Sequence, residues 1–492
     1  MSNKLLIGID FGTSTNFITK YDFQKKDAVA VANMGGYGGS NIFNNCIYIE
    51  NKTNFVLGDF RRLVRDPFNF FHDIKRFIIS DDWFHRVPNL DNREVSAQDI
   101  AQMIFESIKQ KIETNENRSI DGAVITVPYE YSDKYRKRLI QSAQNAGIKV
   151  IKLVEEPVAA AISFGLFSDE VKENKEEKIV VFDLGGGTFD IAIFKFKKDD
   201  KFNAKIEVLN TNGVEKLGGK NIDALIAKKL QEEINLDYTQ ISNQKERILL
   251  QSKLDEIAKT VKEELSVEEE SEVYEPLVIN GTTVELEKFI TRDEFNGWLK
   301  DNNILGQIED ALDSAIYDID LEPQDIDRII LAGGTSSIPV IKELVKNFFG
   351  KEPESKKNLG ELVGHGAGIL AGLSEDDGLN YEIIRKTSKY IGINKANKFQ
   401  KILNKNIKYG ESSAKYPLQI RNSNADTIYF YEGEGGRIDN CEKIGKVKID
   451  ISKYENKTIK ISLLKDENSG RVQYAFYNKS DELIDSGQLE DV

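Results

Sequence analysis

The chain has 492 residues, 40% hydrophobic and 30% charged, with 67 Lys and Arg against 81 Asp and Glu. At ~100–200 residues per domain that length allows two to four domains, and the net charge of −14 argues against an electrostatic nucleic-acid binder, which carries a basic footprint. No stretch reaches the ~18–20 consecutive apolar residues of a membrane span, and Cys46 and Cys441 stand far apart without metal-ligand neighbours, so no disulfide framework or zinc pattern is expected.

The three histidines (His72, His85, His365) leave little for a His-based metal site. The amino-terminus MSNKLLIGIDFG has a short apolar run that leads directly into Asp10, with no small-residue cleavage site, so no secretory signal is expected. A reducing cytoplasm is the simplest compartment, with neither membrane nor nucleic acid as a partner. Strand-like and helix-like segments then alternate. KLLIGID, GAVITVP, KIVVFDLG and RIILAGG read as strands; AQDIAQMIFESIKQKIE, DKYRKRLIQSAQNAG and NIDALIAKKLQEEI read as helices. The alternation predicts an α/β architecture. The acidic run at 263–275, EELSVEEESEVYE, reads as a solvated helix end and loop.

From about Asn380 the pattern changes. KYIGINKA, QKILNKN, KYPLQIRN, DTIYFYEGE, KVKIDIS, KTIKISLLKD and RVQYAFYN are short alternating segments separated by Asn, Gly, Lys and Glu turns. They predict a separate antiparallel β-sandwich of about 110 residues. Residues 374–380, SEDDGLN, are polar and acidic and read as part of a linker. The expected domains are 1–373, a linker at 374–385, and 386–492.

One internal repeat carries chemistry. Asp10-Phe-Gly-Thr-Ser-Thr follows the apolar strand LLIGI, and Asp183-Leu-Gly-Gly-Gly-Thr follows IVVF. Without gaps, Asp10 matches Asp183, Gly12 matches Gly185, and Thr15 matches Thr188. Gly lets backbone N–H groups approach a polyphosphate, and Thr or Ser hydroxyls add donors. A carboxylate at a strand end suits Mg²⁺, which takes one or two carboxylates and keeps its waters. Asp10 and Asp183 fit that role, and Asp190 is a third candidate. A single D-x-G-T is usually a β-turn; two copies behind buried-type strands predict two related lobes, each offering a hairpin to one nucleotide. A third Gly-rich turn, Gly333-Gly334-Thr335-Ser336-Ser337, follows RIILA and opens a helix. Alone, strand–GG–helix is more often a structural turn.

IGIDFGTSTN, VVFDLGGGTFDIAIF and IILAGGTSSIPVIKELV resemble the three signature segments of the Hsp70 family, in order and at similar spacing. VITVPYEYSDKYRKRLIQSAQNAGIKVIKLVEEPVAAAISFGL and GDFRRLVRDPFNFFHDIKRFIIS resemble further family segments. The resemblance implies a two-lobed, actin-like ATPase of duplicated ribonuclease H-like lobes (about 1–176 and 177–373), followed by a peptide-binding β domain; in departure from the family pattern, no helical lid is expected. It implies ATP or ADP with Mg²⁺, and K⁺ as a further ion. Lys75 then orients the attacking water, Glu156 lies near Mg²⁺ and water, and Thr188 meets the γ-phosphate. Asp10, Asp183 and Asp190 are the metal and water carboxylates. Gly12, Thr13, Ser14 and Thr15 form the first phosphate loop and Gly185, Gly186 and Gly187 the second. Gly218, Gly219, Lys262, Gly333, Gly334, Thr335 and Ser337 complete the nucleotide set. Pro128 and Arg136 match residues that couple nucleotide state to the second domain. The implied partners are unfolded or extended peptides, a J-domain co-chaperone and a nucleotide exchange factor.

The sequence departs from that pattern on the adenine side. Ser337 replaces an arginine, Lys259 a glutamate, and Gly360 an acidic residue; GVEKLGG keeps only the glycines of its segment. The linker offers only Leu379, Ile383 and Ile384 as apolar residues, which leaves interdomain coupling open. The alternative reading is an actin-like or nucleotide-switched interaction protein with vestigial hydrolysis.

Overall fold

Leu6–Phe11 is almost wholly buried along its length, the pattern of a strand covered on both faces. It pairs in parallel with Gly122–Val127, which pairs in parallel with Val150–Glu155. On its other side it turns back into Thr15–Asp22, and Asp27–Ala30 completes the path. The computed structural model describes residues 4–35, 41–129, 131–165, 175–198, 204–355, 358–375, 381–419, 425–450 and 458–490.

A second sheet repeats this plan. Glu176–Leu184 pairs in parallel with Arg328–Ala332 and antiparallel with Phe189–Lys198, which continues to Ala204–Val214. Both halves of the internal repeat are therefore strand–turn–strand hairpins, each lying beside a parallel strand. The strands end at the Gly/Thr turns, so each turn sits at the carboxyl end of its leading strand, where open α/β sheets bind ligands.

Two helices join the sheets. Glu156–Gly165 starts directly after the strand ending at Glu155, and Leu362–Leu373 crosses it. One apolar cluster contains Leu6, Val124 and Val154 from the first sheet, Val181 and Phe194 from the second, and Ala159 and Leu370 from the helices. Glycine in a helix interior costs ~1 kcal/mol relative to alanine. Here the reason is close approach: a Cβ on Gly366 would stand 1.8 Å from the Ala159 carbonyl oxygen. The acidic run expected as a helix end and loop instead leads from the helix Gln244–Leu265 into the long hairpin Glu270–Ile279 and Thr282–Thr291.

The last part of the chain forms two four-stranded antiparallel sheets. One has the order Lys398–Leu403, Tyr390–Lys395, Ala425–Gly433, Glu442–Asp450; the other runs Tyr416–Gln419, Thr458–Lys465, Val472–Tyr477, Leu483–Gln488. They share one apolar cluster that includes Ile391, Phe430, Val447, Ile461, Leu463 and Phe476. The strand Leu483–Gln488 was not expected, because LIDSGQ is mostly polar and largely exposed.

The linker is more structured than its polarity suggested. Tyr381–Ile384 adds a parallel strand to the edge of the second sheet, with Ile383 opposite Ile206 and Ile384 opposite Glu207. Backbone pairing needs no apolar run, only an open edge. Leu379 lies outside the described residues. Among the described residues no helix is long and apolar enough to cross a membrane.

Candidate functional site

Four carboxylates and one ammonium converge where the two sheets face each other. Asp183 and Asp190 lie directly opposite in the second hairpin, and Asp10 sits near the end of the corresponding strand in the first. Glu156 is the first residue of its helix. Lys75 belongs to the short 3-10 turn Ile74–Phe77, entered through the left-handed residue Asp73 (φ 56°). Its Nζ donates to Glu156 Oε1 at 2.6 Å, and only 2% of its side chain is exposed. Tyr131 stands against this ammonium, with its ring centroid 6.0 Å away.

The electrostatics follow from that crowding. Burial, then the Glu156 charge, pushes Asp10 up to about 7, against opposing contributions from Lys75 and a hydrogen bond from Thr126 Oγ1 at 3.0 Å. Asp183 is raised well above the carboxylate range by burial, then by Glu156, Asp190 and Asp10. One lysine cannot balance four crowded carboxylates, three of them buried, so this donor set fits a further cation. Among the described residues no three His, Cys, Asp or Glu side chains form a metal cage by themselves.

The glycine turns face one another. A Cβ on Gly187 would stand 2.3 Å from Thr13 Oγ1, and one on Gly186 would stand 2.4 Å from Ser14 Oγ. Gly185 N–H donates to the Thr188 carbonyl at 3.1 Å, and the Gly185 carbonyl accepts from Gly219 N–H and Thr335 Oγ1, both at 2.9 Å. Gly218 packs its backbone on Gly186 and Gly187. Gly333 (φ 75°) lies against Asp183, where a Cβ would be 2.5 Å from Oδ1. Gly12, whose carbonyl accepts from Asn45 Nδ2 at 2.6 Å, and Thr15 close the first turn.

The structure does not bring every sequence candidate to this point. Lys262 Nζ is bound to Asp223 at 2.6 Å and reaches the Gly219 carbonyl at 3.4 Å. Ser337 turns its hydroxyl back onto the Gly334 carbonyl at 2.6 Å, and nothing would meet a Cβ on Gly334 within 4 Å.

Sequence reasoning missed several contributors. Asn45 holds the first turn through its side chain and through N–H to the Ser14 carbonyl at 2.8 Å. Arg76 Nη2 donates to the Gly187 carbonyl at 3.1 Å. Asn16 is 1% exposed, and neither of its side-chain amide atoms has a hydrogen-bond partner among the described residues. Tyr129 N–H donates to Asp190 Oδ1 at 3.2 Å, while its hydroxyl donates to the Lys386 carbonyl at 2.5 Å. Only Tyr129 and Tyr131 had a visible signal, since VPYEY follows the carboxyl end of a parallel strand. Asn45 and Arg76 act through long-range contacts with no local pattern.

A buried ionic cluster lies behind this site. Arg136 Nη1 and Arg385 Nη1 both approach the Glu155 carboxylate at 3.1 Å. Tyr409 hydroxyl reaches Glu155 Oε1 at 3.4 Å, and Arg385 lies over the Tyr409 ring. Nearby, Val472 N–H donates to Asp133 Oδ1 at 2.5 Å, Leu153 N–H donates to the Asn468 carbonyl at 3.0 Å, and Lys465 pairs with Glu432 at 2.7 Å. The last two sheets are thus docked on the helix and strand that carry Arg136 and Glu155. Pro128 contributes its carbonyl to Tyr131 N–H at 3.4 Å.

Comparison with known proteins agrees with this arrangement. The family model described as Hsp70 protein matches residues 6–468. Proteins named "Chaperone protein DnaK" from Thermotoga petrophila, Thermotoga sp. (strain RQ2) and Thermotoga maritima are each 30% identical over 442 residues, covering 88% of this chain and 71% of theirs. A match across nearly the whole chain, on a mixed α/β fold with paired glycine hairpins, shows that the chain belongs to the Hsp70 family of chaperones.

Proposed function

We propose that this protein hydrolyses ATP with Mg²⁺ and couples nucleotide state to the binding of extended or unfolded peptide. The observation that carries the reading is the buried Lys75–Glu156 pair among Asp10, Asp183 and Asp190. Residues 1–373 act as a two-lobed ATPase, 374–385 as the linker, and 386–492 as a β-sandwich that takes peptide. Asp10 and Asp183 hold the metal, which neutralises phosphate charge. The turns at Gly12–Thr15 and at 185–188 grip the phosphates through N–H groups and hydroxyls, with Thr188 against the terminal one. Lys75 and Glu156 position the attacking water, and Asp190 accepts from it. Phosphoryl transfer to water needs such positioning and charge compensation and no covalent nucleophile. Gly218, Gly219, Gly333, Gly334, Thr335, Ser337 and Lys262 border the nucleoside, and K⁺ is a further ion for the phosphate side.

Pro128 and Arg136 act in coupling, through the contacts of Arg136 and Arg385 with Glu155. A J-domain protein and a nucleotide exchange factor are the expected partners. Both cysteines are free, as a reducing cytoplasm keeps them. The test is single-turnover hydrolysis by Lys75→Ala alongside nucleotide binding. Hydrolysis falls on the order of 100-fold or more while binding persists; unchanged turnover removes Lys75 from the mechanism.

A second reading, a nucleotide-operated interaction switch with little hydrolysis, draws on Lys262 being engaged by Asp223 and Ser337 by its own turn. Nucleotide-dependent peptide affinity without measurable turnover would select it.

A further inference from the structure

The turn that carries Lys75 is fastened from both sides of the cleft between the two sheets. Its apolar residue Ile74 is fully buried with Ile7 and Ile9 in the core of the first sheet. Two polar residues that flank Lys75 reach the other way. Asp73 Oδ2 lies 3.4 Å from Lys220 Nζ, and the two side chains are only 20% and 24% exposed. Burial alone would raise the Asp73 carboxyl, but His72 and Lys220 hold it below its ordinary value, so a charged carboxylate faces Lys220. Arg76 Nη2 donates to Asn221 Oδ1 at 3.2 Å as well as to the Gly187 carbonyl. Lys220 and Asn221 lie in the first turn of the helix Gly219–Glu233, whose Ile222 and Ile226 are buried with Phe182 and Ile191 in the core of the second sheet. That helix start is itself bound to the second glycine turn: Gly219 N–H donates to the Gly185 carbonyl at 2.9 Å and Lys220 N–H to the Gly186 carbonyl at 2.8 Å. Further out, Lys245 Nζ donates to the Arg65 carbonyl at 3.1 Å.

We propose that Asp73, Arg76, Lys220 and Asn221 are positioning residues that form a clasp, through which the half of the molecule built on the second sheet sets the aim of Lys75. The proposal rests on the reading of Lys75 as the residue that positions the attacking water. Lys75 Nζ meets Glu156, which follows directly on a strand of the first sheet, yet the polar side chains that pin its turn end on the second half. Asp73 and Arg76 are joined to each other by the Arg76 N–H, which donates to the Asp73 carbonyl at 3.2 Å, so Lys75 stands inside a closed loop of backbone. Any displacement of Lys220 and Asn221 pulls on both ends of that loop and passes to the ammonium between them. A shift of about 1 Å at a positioned group can cost on the order of 100-fold in rate. Ile74 fixes the depth of the turn in its own core, and the clasp fixes its orientation across the cleft.

The test uses the full chain with Lys220→Met and Asp73→Asn, which remove the charge from opposite ends of the pair. Asparagine keeps the left-handed backbone found at residue 73. Amide hydrogen exchange of residues 74–77 is read without nucleotide, and single-turnover hydrolysis is read at saturating ATP. Each variant exchanges the turn about fivefold faster and hydrolyses about fivefold more slowly, the scale of a partly buried ion pair. Lys220→Arg stays near the parent in both readouts. The double variant is no worse than either single one, as two residues acting through one contact require. In a Lys75→Ala background, Lys220→Met still loosens the turn but leaves the residual hydrolysis unaltered, because the pair acts only through Lys75. Asn221→Ala breaks the neighbouring contact to Arg76, gives the same pattern, and decides the matter where a charge variant folds poorly. Unchanged exchange at residues 74–77, or an equal loss of hydrolysis with and without Lys75, overturns the proposal. A parent chain that binds ATP without turning it over rejects the ATPase reading instead, and the exchange measurement still decides whether the second half holds the turn.

Discussion

Glu155 and Glu156 are consecutive, yet they serve different parts of the molecule: Glu155 receives Arg136 and Arg385, and Glu156 receives Lys75. The peptide bond between them joins the interface with the last two sheets to the centre of the carboxylate cluster.

Glu155 gives a pH prediction. Burial alone would raise its carboxyl, but Arg385 and then Arg136 hold it at about 2, below its ordinary 4.5. A depressed carboxyl stabilises the folded, docked state above about pH 4.5, and that stability is lost as pH falls toward 2. The shift corresponds to an upper bound of about 3 kcal/mol. Glu155→Gln is expected to lower thermal stability at pH 7 and to flatten the acid limb of the stability curve; an unchanged acid limb refutes the assignment.

Asp10 has the opposite sign. Its carboxyl is raised to about 7, so without a divalent cation the folded state loses stability as pH rises from about 4 to about 7. A cation at Asp10 favours the ionised form and removes that loss. Mg²⁺ with ADP is therefore expected to raise the melting temperature more at pH 8 than at pH 5.5, and Asp10→Asn to abolish the difference. Equal stabilisation at both pH values would contradict this.

Gly187→Ala places a methyl group against Thr13. Overpacking of this kind costs ~1–3 kcal/mol. The expected result is nucleotide affinity reduced about tenfold, with the folded sheets retained by circular dichroism. Wild-type affinity would mean that the two turns do not close on a common ligand.

Tyr129→Phe removes the hydroxyl from the Lys386 carbonyl and keeps the amide on Asp190. A hydrogen bond of this type contributes ~1 kcal/mol. Protease sensitivity of the linker is expected to rise severalfold, while basal hydrolysis stays near wild type. A linker as resistant as the parent would show that this contact does not hold it.

Much of the site was legible because its residues lie at fixed offsets from strand ends. Asp10 and Asp183 each follow an apolar run, and the Gly/Thr turns come next, so composition and spacing were enough. Lys75 and Glu156 emerged only through family resemblance, since IKRF and EEP carry no chemistry by themselves. Asn45 and Arg76 were invisible because their roles depend on contacts across the fold. The linker misled in another way: the polar residues at its start hid a short strand that pairs with an open sheet edge and packs Ile383 against the apolar cluster. Leu483–Gln488 escaped for a similar reason, being an edge strand with few buried positions.

The contact between Gly366 and Ala159 has a mechanical consequence. Interdigitated side chains hold crossed helices in a fixed register, as ridges in grooves. Here backbone meets backbone, and there are no rotamers at the contact to catch. At this one point the helix crossing depends on the missing side chain of Gly366 and does not tolerate a single added methyl.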